Sequence, residues 1–124
     1  MIAADTSSLV AYFSGDPGPD VEKLVEAISI GHLVLPPIVV TEILSDPDGA
    51  PAVGAQIKGV PQLEPIDGYW ERAGETRRLL RRHGLRAKVG DAPIAQSCID
   101  HDVALITRDR DFRHFAEHCG LKLA

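Results

Sequence analysis

Two rhythms of apolar and polar positions run along this chain. Residues 1–4 form a short apolar opening, which predicts a buried strand, and Asp5-Thr6-Ser7-Ser8 then reads as a helix start. Leu9, Val10, Tyr12 and Phe13 give that helix an apolar side until Gly15-Asp16-Pro17-Gly18-Pro19 breaks it. From Asp20, the spacing of Val21, Leu24, Val25 and Ile28 predicts a second helix. Residues 32–35 are a strand candidate ended by Pro36-Pro37, and Pro37 suits the first turn of a helix reaching about Leu44. The prolines and glycines of residues 45–54 read as a loop, and residues 62–66 as a brief strand. A long helix is predicted from Asp67 to about His83, with Tyr69, Ala73, Thr76 and Leu80 along one face and Gly84 as its stop. Asp91 opens another, with Ile94, Ala95, Cys98 and Ile99 inward. Residues 103–106 are the clearest buried strand, and residues 121–123 a last one. Strands alternating with helices through short turns predict an α/β fold, a three-layer α/β/α sandwich with a mostly parallel central sheet. Neither a repeat nor a long linker divides the chain, so residues 1–124 are expected to form a single domain.

Composition narrows the setting. No apolar run approaches the ~20 residues needed to span a bilayer. The first residues lack a basic region, so a signal peptide is not expected. Cys98 and Cys119 cannot make a disulfide framework, which fits a reducing, cytoplasmic location. With 18 acidic and 13 basic side chains the formal charge is -5, a poor match to a protein that grips nucleic acid by bulk positive charge.

The placement of four of those acids matters more than their sum. In an open parallel sheet the functional crevice lies beyond the carboxyl ends of the strands. Asp5 directly follows the first strand, Asp109 follows the strand at 103–106 after Thr107-Arg108, and Asp91 begins the helix before it. Glu42 lies in the helix after the second strand. Asp5, Asp91 and Asp109 each have a plain reading as helix caps. Glu42, between Ile38-Val39-Val40 and Ile43-Leu44, is expected to be a buried carboxylate, which is costly unless paired or bound to metal. With no Lys or His directly beside them, four converging carboxylates raise one another's pKa and repel, and a divalent cation with oxygen preference, Mg²⁺ or Mn²⁺, resolves that conflict.

Four segments carry a family resemblance: Asp5-Thr6-Ser7-Ser8-Leu9, Thr41-Glu42-Ile43-Leu44, Gly90-Asp91-Ala92 with Ile94-Ala95, and Leu105-Ile106-Thr107-Arg108-Asp109-Arg110-Asp111-Phe112. Their order over the whole chain resembles the PIN domain, and more narrowly the VapC-type toxin ribonucleases of toxin–antitoxin pairs. The resemblance implies a Mg²⁺- or Mn²⁺-dependent endoribonuclease with Asp5, Glu42, Asp91 and Asp109 as the metal-site carboxylates. Hydrolysis by an activated water is implied, leaving 5′-phosphate and 3′-hydroxyl ends. Asp111, just before Phe112, reads as structural. Thr6 and Thr107 are candidates to hydrogen-bond a water or phosphate. Pro93 departs from the pattern, but the first turn of a helix tolerates it. As partners the resemblance implies an RNA substrate, a small VapB-type antitoxin placing a basic residue in the acidic pocket, and a homodimer. A stand-alone PIN nuclease and a catalytically idle PIN-like binding module are the alternatives.

The basic residues are equally unevenly spread. Arg72, Arg77, Arg78, Arg81, Arg82, Arg86 and Lys88 place seven of the 13 in one 17-residue span. Arg77/Arg81 and Arg78/Arg82 are i,i+4 ridges, readable as a solvated face or as an RNA-backbone strip leading toward Asp91, with Arg108, Arg110 and Arg113 extending it. Arg81, Arg82 and Arg108 are the substrate-binding candidates. His114, His118 and Cys119 lack a fourth zinc ligand. Tyr69 and Trp70 are assigned to helix packing rather than base stacking, and Cys98 to the core. A phosphoacceptor receiver domain is disfavoured because Asp5 stands alone and no lysine follows the last central strand.

Overall fold

The computed structural model describes residues 1–124. Its centre is β1 (Ile2–Ala4), flanked in a parallel sheet of order β2-β1-β3 by β2 (Leu33–Val34) and β3 (Ala104–Ile106). Ile2 and Ala3 register with Leu33 and Val34 on one side, and Ile2, Ala3 and Ala4 with Ala104, Leu105 and Ile106 on the other. Two segments expected as strands add only single parallel bridges, Leu35 to Gln62 and Leu105 to Leu123. Pro61 and Pro65 bracket the first of them, and a prolyl nitrogen cannot donate to a ladder.

Between β1 and β2 lie α1 (Thr6–Phe13) and α2 (Pro19–Ser29). Between β2 and β3 lie α3 (Pro37–Leu44), α4 (Pro51–Lys58), α5 (Tyr69–Arg82) and α6 (Asp91–His101), and α7 (Phe112–Cys119) follows β3. The first crossover moves from β1 outward to β2, and the second returns past β1 to β3. Right-handed crossovers running in opposite directions place their helices on opposite faces of the sheet, which yields the expected three layers. The strand order reverses at β1, so a crevice opens beyond the ends of β1 and β3.

Local chemistry explains most boundaries. Pro37 and Pro51 both occupy the first turn of a helix, where a missing N–H costs nothing. That is why residues 51–54 are helical rather than part of the loop their prolines and glycines suggested. The core joins Leu9, Leu24, Val39, Leu80, Leu105 and Phe115, all essentially inaccessible to water. Each such side chain contributes about 1.5–3 kcal/mol of hydrophobic stabilisation. Val10 and Val25, counted on the apolar sides of their helices, turn outward instead. No helix is long and apolar enough to cross a membrane.

Candidate metal centre

Asp5 caps α1 and is only 2% exposed. The backbone N–H of Asp5 donates to the carbonyl of Ile106 at 3.1 Å, tying the end of β1 to the end of β3. Its carboxylate accepts from the Ser8 N–H at 3.1 Å, from the Ser7 hydroxyl at 2.8 and 2.9 Å, and from the Thr107 hydroxyl at 2.6 Å. Burial raises its pKa and the Asp109 charge adds to the rise, while the bonds from Thr107, Ser8 and Ser7 oppose it. The Thr107 hydroxyl also accepts the Asp109 N–H at 3.0 Å, so one side chain fixes two acids.

Asp91, Asp109 and Asp111 bring carboxylate oxygens within 4.8 Å of one another. Asp91 is the first residue of α6, and its Oδ2 is buried without a hydrogen-bond partner. Desolvation, then the charges of Asp109, Asp111 and Asp5, push its pKa up to about 6, against a lowering by Lys88. Asp109 Oδ1 accepts the Asp111 N–H at 2.9 Å. The Arg86 guanidinium lies 3.7 Å from Asp111. A buried carboxylate oxygen left unbonded among other carboxylates is a costly arrangement that a cation relieves. Three hard oxygen donors fit Mg²⁺ or Mn²⁺ better than a soft metal.

The PIN domain family model matches residues 2–118. The chain belongs to the PIN domain family. Among solved structures it is similar to a chain of VapBC2 from Rickettsia felis bound to a DNA fragment from their promoter. That match has 18% identity and a TM-score of 0.71, covering 100% of this chain and 98% of the other. A chain of FitAB bound to the IR36 DNA fragment is also similar, with 16% identity and a TM-score of 0.69, covering 100% of this chain and 94% of that one. These likenesses are of fold. No curated protein matches the chain in sequence.

Within this PIN domain the structure redistributes the sequence-predicted site. Asp91 and Asp109 come together as expected; Asp5 is not among the three acids whose oxygens converge, though it lies near enough for its charge to add to the rise at Asp91. Asp111, read as structural, joins them, because the short turn from Asp109 brings its carboxylate back alongside. The two-residue spacing of Asp109 and Asp111 was the available signal. Glu42 is not buried. On α3 the inward positions are Val39 and Ile43, four apart, which leaves Glu42 exposed on the flank. Its one bond comes from the Thr6 hydroxyl at 2.9 Å, which links it to the residue after Asp5. Thr6 and Thr107 thus hold carboxylates in place.

Arg108 is committed elsewhere. It donates to both oxygens of Asp20, at 2.8 and 3.0 Å, and to the Pro17 carbonyl at 3.2 Å. The Ser8 hydroxyl shares Asp20, whose pKa falls to about 2 chiefly through the bond from Arg108. Gly18 belongs to this latch: at φ +154°, an added Cβ would lie 2.9 Å from Arg108 Nη2. Arg81 and Arg82 stay exposed on α5. Contrary to the packing assignment, Trp70 is 61% exposed, whereas Tyr69 is buried and donates its hydroxyl to the Pro93 carbonyl at 2.5 Å. The expectation that no lysine stands beside the acids is corrected: Lys88, three residues before Asp91, acts on its carboxylate, and Arg86 reaches Asp111, both from the loop before α6. Cys98 is core, its thiol pushed up to about 12 by burial. His118 stacks on His83 at 4.8 Å.

Proposed function

We propose that this PIN domain is a divalent-metal-dependent endoribonuclease and the toxin of a toxin–antitoxin pair. The observation that carries the first half is the buried, unbonded Oδ2 of Asp91 among the carboxylates of Asp109 and Asp111. PIN domains are generally nucleases, and the fold is shared with chains of VapBC2 and FitAB, which supports the second half.

In this reading Asp91, Asp109 and Asp111 hold the ion. Mg²⁺ or Mn²⁺ bound there supplies positive charge for phosphodiester oxygens and lowers the pKa of a water. Asp5, fixed by three donors, the Ser7 and Thr107 hydroxyls and the Ser8 N–H, orients the attacking water at its carboxylate. Glu42, held by Thr6, completes the acidic rim. Asp91, pushed up to about 6, gives up its proton fraction on loading, so cation binding weakens below that pH. The remaining parts of the proposal are an RNA substrate, a VapB-type antitoxin, a homodimer and a cytoplasmic location.

The test is cleavage of end-labelled single-stranded RNA by the purified chain. Cleavage should require Mg²⁺ or Mn²⁺, stop with chelator, and fall at least about a thousandfold in Asp91→Asn and Asp109→Asn. Cleavage that survives both substitutions would sink the assignment. For the toxin role, induced expression should arrest growth, and co-expression of the reading frame beside its gene should restore it. Light scattering should give twice the chain mass.

A further inference from the structure

On α5, Trp70, Gly74, Arg77, Arg78, Arg81 and Arg82 share an outward arc of roughly 140° at 3.6 residues per turn, with Glu71 the one acid inside it and Glu75 at its edge. Tyr69, Ala73 and Leu80 occupy the opposite, buried face. The four arginines and Gly74 line an open groove of about 530 Å³, with Val89 as its far wall. None of the ion pairs in the structure involves Arg78, Arg81 or Arg82, whereas Arg72, Arg86 and Arg108 each have a carboxylate partner. Arg77 donates its Nε to the Ala87 carbonyl at 2.8 Å, which fixes the loop carrying Val89 against the helix. The groove therefore has an anchored wall, unneutralised charge, and a rim two residues from Asp91.

Trp70 extends the same face one turn beyond Gly74. Its ring meets Tyr69 edge-on at 4.8 Å and leaves most of its surface in water. A Cβ at Gly74 would meet nothing within 4 Å, so the helix surface beside the indole is open. From Trp70 to Arg81 is about 16 Å, three helical turns.

We propose that this face of α5 is a binding track for single-stranded RNA, with Arg77, Arg78, Arg81 and Arg82 on successive phosphates and Trp70 stacked on an unpaired base. The inference rests on the ribonuclease reading and names the form of its substrate. Phosphate contacts of this kind carry no sequence information, and stacking tolerates any base. A duplex buries its base faces, so the exposed indole favours a single strand.

Trp70 is the only tryptophan in the chain, so its fluorescence reports directly on the track. A 12-nucleotide oligouridine, titrated in excess chelator to prevent cleavage, is expected to quench it, and a blunt RNA duplex of the same length is not. Arg78→Ala/Arg81→Ala should weaken oligouridine binding by at least about tenfold. It should also reduce the slope of log affinity against log salt by about 1.4, with the melting temperature unchanged. Trp70→Leu, followed by anisotropy of labelled oligouridine, should weaken binding by about tenfold and leave the salt slope intact. Saturation without quenching, or unchanged affinity and slope in the double-alanine variant, would overturn the proposal. So would a poly-glutamate peptide of equal charge that binds as tightly and quenches as much, which would assign the face to an acidic protein. Because binding is read without metal, unaltered binding by the arginine variant alongside normal cleavage defeats this inference alone. Normal binding with no metal-dependent cleavage defeats the ribonuclease reading alone.

Discussion

Asp91→Asn should make the metal-free protein more stable while removing its capacity to hold a cation. The Asp91 carboxylate accepts no hydrogen bond at its buried Oδ2, and its pKa is pushed up to about 6 by desolvation and then by Asp109. A carboxyl group whose folded pKa lies above its unfolded value opposes folding once ionised. The cost is complete above pH 6, shrinks as pH falls through 6, and is gone below about 4. A two-unit shift corresponds to about 2.7 kcal/mol, which screening at this half-buried site reduces to roughly 1.5. Loss of a negative charge from the first turn of α6 returns about 0.5 kcal/mol. A net gain of about 1 kcal/mol remains, or about 3–5 °C in Tm for a domain of this size. Thermal unfolding followed by circular dichroism in chelator should show that gain at pH 7.5 and almost none at pH 4. Excess Mg²⁺ should raise the wild-type Tm and leave the variant unmoved. A variant less stable than wild type at pH 7.5, or a difference independent of pH, would refute the reasoning.

Three further outcomes follow from the same geometry. Thr107→Val removes the hydroxyl shared by Asp5 and Asp109 and should cost about 1–3 kcal/mol in denaturant unfolding. Calorimetric titration should show Mn²⁺ affinity lower by about 10- to 100-fold. Asp20, held down to about 2 by the bond from Arg108, contributes stability that is present above pH 4 and fades as pH falls toward 2. Asp20→Asn should therefore be less stable than wild type at pH 6 and converge with it near pH 2, and parallel unfolding profiles would contradict the latch. Glu42→Gln, on an exposed flank, should change stability by no more than about 0.5 kcal/mol. RNA cleavage by that variant should still fall by at least about tenfold if Glu42 serves the reaction, and unchanged turnover would remove it from the site.

The acids at strand ends were readable because topology fixes where those ends point. Asp5 and Asp109 follow β1 and β3, and Asp91 starts the helix that returns to β3, so a parallel sheet brings them together whatever the side-chain detail. What the linear pattern hid was set by three-dimensional neighbours. Glu42 lies in an apolar run, yet a helix of eight residues needs only Val39 and Ile43 inward, and the carboxylate falls on the flank. Asp111 read as structural, but it makes no side-chain cap bond and its carboxylate joins those of Asp91 and Asp109. Arg108, directly beside Asp109 in sequence, is drawn to Asp20 on α2, a partner 88 positions away. Trp70 and Tyr69 are adjacent and chemically alike, and only the packing of α5 on α6 decides which of them is buried. The segment at 62–66 stops at a single bridge, at Gln62, because Pro61 and Pro65 stand on either side of it and cannot donate to a ladder.

The account stands on the acidic group at the ends of β1 and β3 being a divalent-cation site. Isothermal titration of Mn²⁺ into the wild-type protein and into Asp109→Asn at pH 7.5 addresses it most directly. Saturable binding to the wild type, weakened at least about tenfold by the loss of one carboxylate from the trio, is the predicted result. Equal Mn²⁺ affinity in the two proteins, or no binding to the wild type, would contradict it.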